Sequence, residues 1–167
     1  MDFYSAIIAL SLIFISIIPF FFMIRNNKRK EKVFLQDLRA MAEKHNLSID
    51  QYDTLNHAAI GSDQGMNMIF FTKKTKEEVT QQEVDLSKIQ RAKVIPTTRS
   101  VMHQGGNHQV TDKLELAFIF HEKQKPDVMF NLFDVNTDGL MITKELRLAE
   151  KWCEMINTQV GTLVPAR

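Results

Sequence analysis

The chain has a single cysteine, Cys153, among 167 residues. That excludes an intrachain disulfide and suits a reducing compartment. Charge of one sign is also missing: 21 Lys and Arg stand against 20 Asp and Glu. A net charge of +1 leaves no basic footprint of the size that nucleic-acid binding needs, so no nucleic-acid partner is expected. There is no internal repeat, no low-complexity tract and no G-x-S-x-G or GK[ST] signature. Only five histidines are present, and they are scattered. His103 and His108 share a glycine loop but lack Cys or carboxylate companions at ligand spacing. No catalytic constellation remains, and the chain reads as a non-enzyme.

Charge is absent from one long stretch. Phe3–Ile24 holds 22 uncharged residues, enough helix to cross a bilayer core about 30 Å thick. Arg25, Lys28, Arg29, Lys30 and Lys32 follow at once, while the other flank offers only Asp2. The positive-inside rule then predicts a single-pass anchor in the cell (inner) membrane with residues 25–167 in the cytoplasm. The bilayer is the expected partner of Phe3–Ile24, and anionic lipid headgroups are expected at the five basic residues.

After the anchor, Phe34, Leu38, Met41, Ala42 and His45 fall on one helical stripe, with Asn46 as its stop. Ser48–Asp53 reads as a polar loop. Residues 52–62 and 67–73 read as a hairpin about the turn Asp63-Gln64-Gly65, and Lys74–Gln82 as a solvated connection. Pro96 predicts a bulge or an edge strand in the run after Arg91. Leu114, Leu116, Phe118 and Phe120 alternate with Glu115, Ala117, Ile119 and His121, the clearest period-two run. Val128, Phe130 and Leu132 predict another strand. Thr143–Gln159 is a helix by its stripe Leu146, Ala149, Trp152, Cys153 and Ile156, with Thr143 as N-cap. Cys153 within that stripe reads as a packed small side chain.

The expected fold is therefore α+β: a transmembrane helix (1–24), a juxtamembrane basic segment and amphipathic helix (25–47), and a domain at 48–160. That domain is an antiparallel sheet of about five strands closed by a C-terminal helix, and 161–167 is a frayed tail. The residues Ala59-Ile60-Gly61-Ser62-Asp63, Ile69-Phe70-Phe71, Val84-Asp85-Leu86-Ser87-Lys88-Ile89, Lys113-Leu114-Glu115-Leu116 and Glu145-Leu146-Arg147-Leu148-Ala149-Glu150-Lys151-Trp152 carry a resemblance. In their order they are similar to pleckstrin-homology-like (PH-like) domains, and to small bacterial single-pass membrane proteins of unassigned activity that carry one. The resemblance implies a non-catalytic interaction module that binds a membrane-proximal protein or a lipid headgroup at the cytoplasmic face.

A second reading comes from Asp134–Glu145. Asp134, Asn136, Asp138, Gly139 and Glu145 take positions 1, 3, 5, 6 and 12 of an EF-hand loop, which supplies the oxygens calcium needs. Against it, the ninth position is Ile142, Pro126 leaves little room for an entering helix, and no second loop is there to pair. The alternative to a calcium sensor is a plain polar turn from strand to helix. No other cofactor is indicated.

Overall fold

The structure, a computed structural model, describes residues 29–103, 106–122, 126–139 and 142–163. Two antiparallel sheets lie face to face, one of four strands and one of three. The first is β1 (Ile49–Thr54), β2 (Ala58–Asp63), β3 (Met68–Lys74) and β4 (Val79–Asp85), in chain order. A 3-10 turn, Leu86–Lys88, leads into the second sheet: β5 (Ile89–His103), β6 (Gly106–Phe120) and β7 (Val128–Asp134). The helices are α1 (residues 29–43), the short α2 (Val135–Asp138) and α3 (Thr143–Leu163).

Strand β3 shows why the layers form. Its alternation sends Ile69 and Phe71 toward the second sheet and Phe70 toward α1, so both faces are apolar and buried. Between the sheets Phe71 stacks on Phe130 of β7 at 4.7 Å, and Phe118 of β6 tilts against the same ring at 4.6 Å. Helix α3 adds Leu148, Ala149, Trp152, Ile156 and Val160 to this main core. A second, smaller core lies on the other face of the first sheet. There α1 lays Phe34, Leu38, Met41 and Ala42 on Ala59 and Phe70. Gly61 permits the close approach, because a Cβ there would stand 3.2 Å from Leu38 Cδ1 and 3.2 Å from the Gln51 carbonyl oxygen. Asn46 stops the helix in the left-handed region, with φ 57°, as its side chain favours.

Three polar clasps fix α1 across the sheet. Tyr52 donates to Glu31 Oε1 at 3.2 Å, Lys74 pairs with Asp37 at 2.6 Å, and His45 meets Glu83 at 2.9 Å. Desolvation, and then the Glu31 carboxylate, push the Tyr52 phenol above its ordinary value.

The expected fold needs correction in two respects. Among the described residues the strands number seven, in two sheets, rather than about five in one. No helix among the described residues is long and apolar enough to cross a membrane, so the expected single-pass transmembrane helix has no counterpart among them. The stretch Phe3–Ile24 lies outside the described residues.

Smaller corrections share one cause, polar edge strands. Ser48–Asp53 is largely β1, and the supposed connection Lys74–Gln82 contains the start of β4. Both are outer strands whose exposed sides carry Asp50, Gln51, Gln81 and Glu83. In α3 Ala149, Trp152 and Ile156 of the expected stripe are buried and Cys153 is partly buried, but Leu146 is exposed and Leu148 is buried instead. Thr143 is the first helical residue, and the Ile142 carbonyl accepts the first helical bond, from Leu146 N–H at 2.9 Å. The hairpin turn at Asp63-Gln64-Gly65 is where expected. Asp63 closes it by accepting from the N–H groups of Gly65, Asn67 and Met68 at 3.2, 2.8 and 2.7 Å. Pro96 lies on an edge strand, one residue before a bulge at Thr97/Thr98.

Candidate functional site

A groove of about 730 Å³ opens where four elements meet. Arg29, Lys30, Val33 and Phe34 come from α1, and Asn56 and His57 from the β1–β2 turn. Lys74, Thr75, Lys76 and Glu77 come from the end of β3 and its turn, and Asn136 and Thr137 from α2.

Local sequence places each part. Leu55 N–H donates to the Ala58 carbonyl at 2.7 Å, a tight reversal that lifts Asn56 and His57 to the rim. The His57 carbonyl accepts from Lys74 N–H at 2.7 Å, tying the two turns together. Thr75 shapes the β3–β4 turn: its hydroxyl donates to the Glu78 carbonyl at 3.2 Å and accepts from Glu78 N–H at 3.1 Å. Lys76 is thereby left pointing from an exposed loop tip.

Electrostatically the lining holds four cations, Arg29, Lys30, Lys74 and Lys76, against one carboxylate, Glu77. Lys74 is already engaged, by Asp37 and by the ring of Phe34, whose centroid lies 5.9 Å from Nζ. Among the described residues no carboxylate pairs with Arg29, Lys30 or Lys76. The floor is apolar: Phe34 is buried, and Val33 stays 45 % exposed beside the cations. A volume in this range fits a small organic ligand with an anionic group rather than a bare anion. The lining titratable groups are four cations, one histidine, His57, and one glutamate, Glu77.

Of the five basic residues read from the sequence, Arg29 and Lys30 line this groove. Lys32 is exposed on α1 and does not line it, while Arg25 and Lys28 lie outside the described residues. Lys73, the last residue of the run 67–73 that reads as a hairpin strand, is buried at 6 % exposure. It is in phase with Ile69 and Phe71, and that phase is the signal for its direction. The groove itself was not legible, because its walls are 29–34, 56–57, 74–77 and 136–137 in sequence.

Among the described residues, the side chains at calcium-loop spacing take other contacts, and residues 140 and 141 of that loop lie outside them. Asp127–Phe133 leads in as strand β7, not as a helix. Asp134 caps α2 by accepting from Asn136 N–H at 2.9 Å, and the Asn136 amide donates to the same oxygen. Asp138 is neutralised by Lys73 at 2.8 Å, and Glu145 is buried in α3. Among the described residues no three His, Cys, Asp or Glu side chains converge as metal ligands. Gly139 does supply the sharp turn, with φ 90°, but it ends α2. The side chains of His103 and His108 are outside the described residues.

Cys153 is partly buried on α3, its thiol 3.5 Å from the Ala92 carbonyl oxygen. Burial pushes that thiol above its ordinary value, outweighing hydrogen bonds that act the other way. Protonated and packed, it is a poor nucleophile. Comparison with family models, with curated proteins and with solved structures finds no match to this chain.

Proposed function

We propose that this chain is a non-catalytic interaction module whose basic-rimmed groove binds an anionic lipid headgroup. The observation that carries the reading is the set Arg29, Lys30 and Lys76, which have no carboxylate partner among the described residues and stand beside exposed Val33. Cations for phosphate next to an aliphatic side chain suit an amphiphile with a charged end. The PH-like resemblance supports the same reading, since a two-sheet domain closed by a helix carrying Trp152 presents its turns as a binding rim.

Dihexanoyl-phosphatidylglycerol, a soluble anionic lipid, tests it against the zwitterionic dihexanoyl-phosphatidylcholine. Titration of the full chain is expected to move the amide resonances of Lys74, Lys76 and Thr137 with the anionic lipid alone. Each of Arg29→Gln, Lys30→Gln and Lys76→Gln is expected to weaken binding about fivefold, from about 1 kcal/mol per basic residue. Equal response to both lipids, or none, removes the headgroup reading.

A protein partner is the second reading, and a different feature favours it. Strands β5 and β6 run on as a two-stranded ribbon from Thr98/Thr111 to His103/Gly106, beyond the last residue that β7 covers. Met102 on this ribbon is 79 % exposed. Crosslinking at Met102 replaced by a photoreactive residue tests this; recovery of no protein adduct removes it.

A further inference from the structure

One wall of the groove is built in an unusual way. Helix α2 supplies the exposed Asn136 and Thr137, and its one apolar residue, Val135, is only partly buried. What joins it to the first sheet is charge. Lys73, on β3, reaches through the main core side and donates to Asp138 Oδ2 at 2.8 Å and to Asn131 Oδ1 at 3.0 Å. The same Asp138 oxygen accepts from Asp134 N–H at 2.8 Å. Both side chains of the ion pair are nearly dry, 7 and 8 % exposed.

Two desolvated charges gain little net stability, because removing each ion from water costs several kcal/mol. An apolar pair of similar size would fill the space as well. The ion pair adds direction: an ammonium satisfied by Asp138 and Asn131 fixes where α2 sits along β3. Lys74, which follows Lys73, and Thr137, which precedes Asp138, both line the groove.

We propose that Lys73 and Asp138 are positioning residues that set the distance between the α2 wall and the cationic β3–β4 turn. This rests on the groove being the binding site. Neither residue lines the groove; each acts through its neighbour.

The test is the double substitution Lys73→Met with Asp138→Asn in the full chain, which removes both charges, keeps side-chain volume and leaves an amide oxygen at 138 to accept from the Asp134 N–H. The melting midpoint is expected to stay or rise. In the ligand-free protein, the amide resonances of Asn136, Thr137 and Lys74–Lys76 are expected to shift. Affinity for dihexanoyl-phosphatidylglycerol is expected to fall roughly tenfold, as for a site whose supporting residues are loosened. Asp138→Asn alone leaves the Lys73 ammonium without its charge partner and is expected to lower the midpoint instead. A double variant that melts clearly lower makes the pair a plain stability element and overturns the proposal. Unshifted amides in that variant overturn it too. If the native chain binds no anionic lipid the groove reading fails separately, while the ligand-free resonances still report whether the wall moved.

Discussion

The seam under α3 and the groove beside α1 are built from similar residues and treated in opposite ways. At the seam Lys151, Trp152 and Asn157 of α3 each meet a partner. Trp152 Nε1–H and the Lys151 ammonium both donate to Asp53 Oδ2, at 2.9 and 2.7 Å. Asn157 meets the backbone of edge strand β5, accepting from Ala92 N–H at 2.7 Å and donating to its carbonyl at 3.1 Å. One side chain thus occupies both edge groups of a residue, which protects that part of the edge from pairing with another strand. At the groove, three cations are left without such partners among the described residues. Where polar groups are satisfied internally they serve the fold; where they are left over beside apolar surface, they are available to a ligand.

Substitutions can break this contrast. The largest effect is expected at Trp152, fully buried at the seam: Trp152→Ala should cost about 3–5 kcal/mol in denaturant unfolding. Asn157→Ala should cost about 1–2 kcal/mol, since it leaves the Ala92 N–H unpaired and its carbonyl with only the weak Cys153 thiol donor, and gel filtration should show more self-association. Lys76→Gln, at the groove, should change stability by less than about 0.5 kcal/mol while weakening anionic lipid as described. If Lys76→Gln destabilises as much as Asn157→Ala, the groove cations belong to the fold and the contrast collapses.

The smallest effect sharpens the picture on the 3-10 turn. Partial burial acts to raise the Asp85 pKa. The hydrogen bonds from Lys88 and from Ser87, whose N–H and hydroxyl lie at 3.0 and 2.6 Å, outweigh it and hold it below its ordinary value. A carboxylate depressed in the folded state stabilises above its unfolded pKa of about 3.9 and loses that stabilisation as pH falls through the folded value. After screening at this half-exposed site, the difference between native and Asp85→Asn stability should be a few tenths of a kcal/mol at neutral pH and vanish well below about pH 4.

Much of the fold was legible where burial is one-sided. Leu114, Leu116, Phe118 and Phe120 point to the main core as their alternation implies, and Phe34, Leu38, Met41 and Ala42 form the buried face of α1. Legibility failed at β1 and β4, where edge position lets IDQYDT and VTQQEVD stay polar. It failed differently at Asp134–Glu145. Among the described residues, oxygen donors at calcium spacing serve as a cap, Asp134, a buried counter-ion, Asp138, and a helix residue, Glu145. Spacing along the chain reveals nothing of Lys73, 65 residues from the Asp138 it neutralises. The groove was legible only in Arg29 and Lys30, because its other cations become a site once two turns and α2 converge on them.

The most direct measurement is a paired titration of the native chain and of Arg29→Gln/Lys30→Gln/Lys76→Gln with dihexanoyl-phosphatidylglycerol, alongside melting of both. Saturable binding by the native chain, lost by about a hundredfold in the triple variant at an unchanged melting midpoint, is the predicted result. Equal affinity in the two proteins would contradict the account.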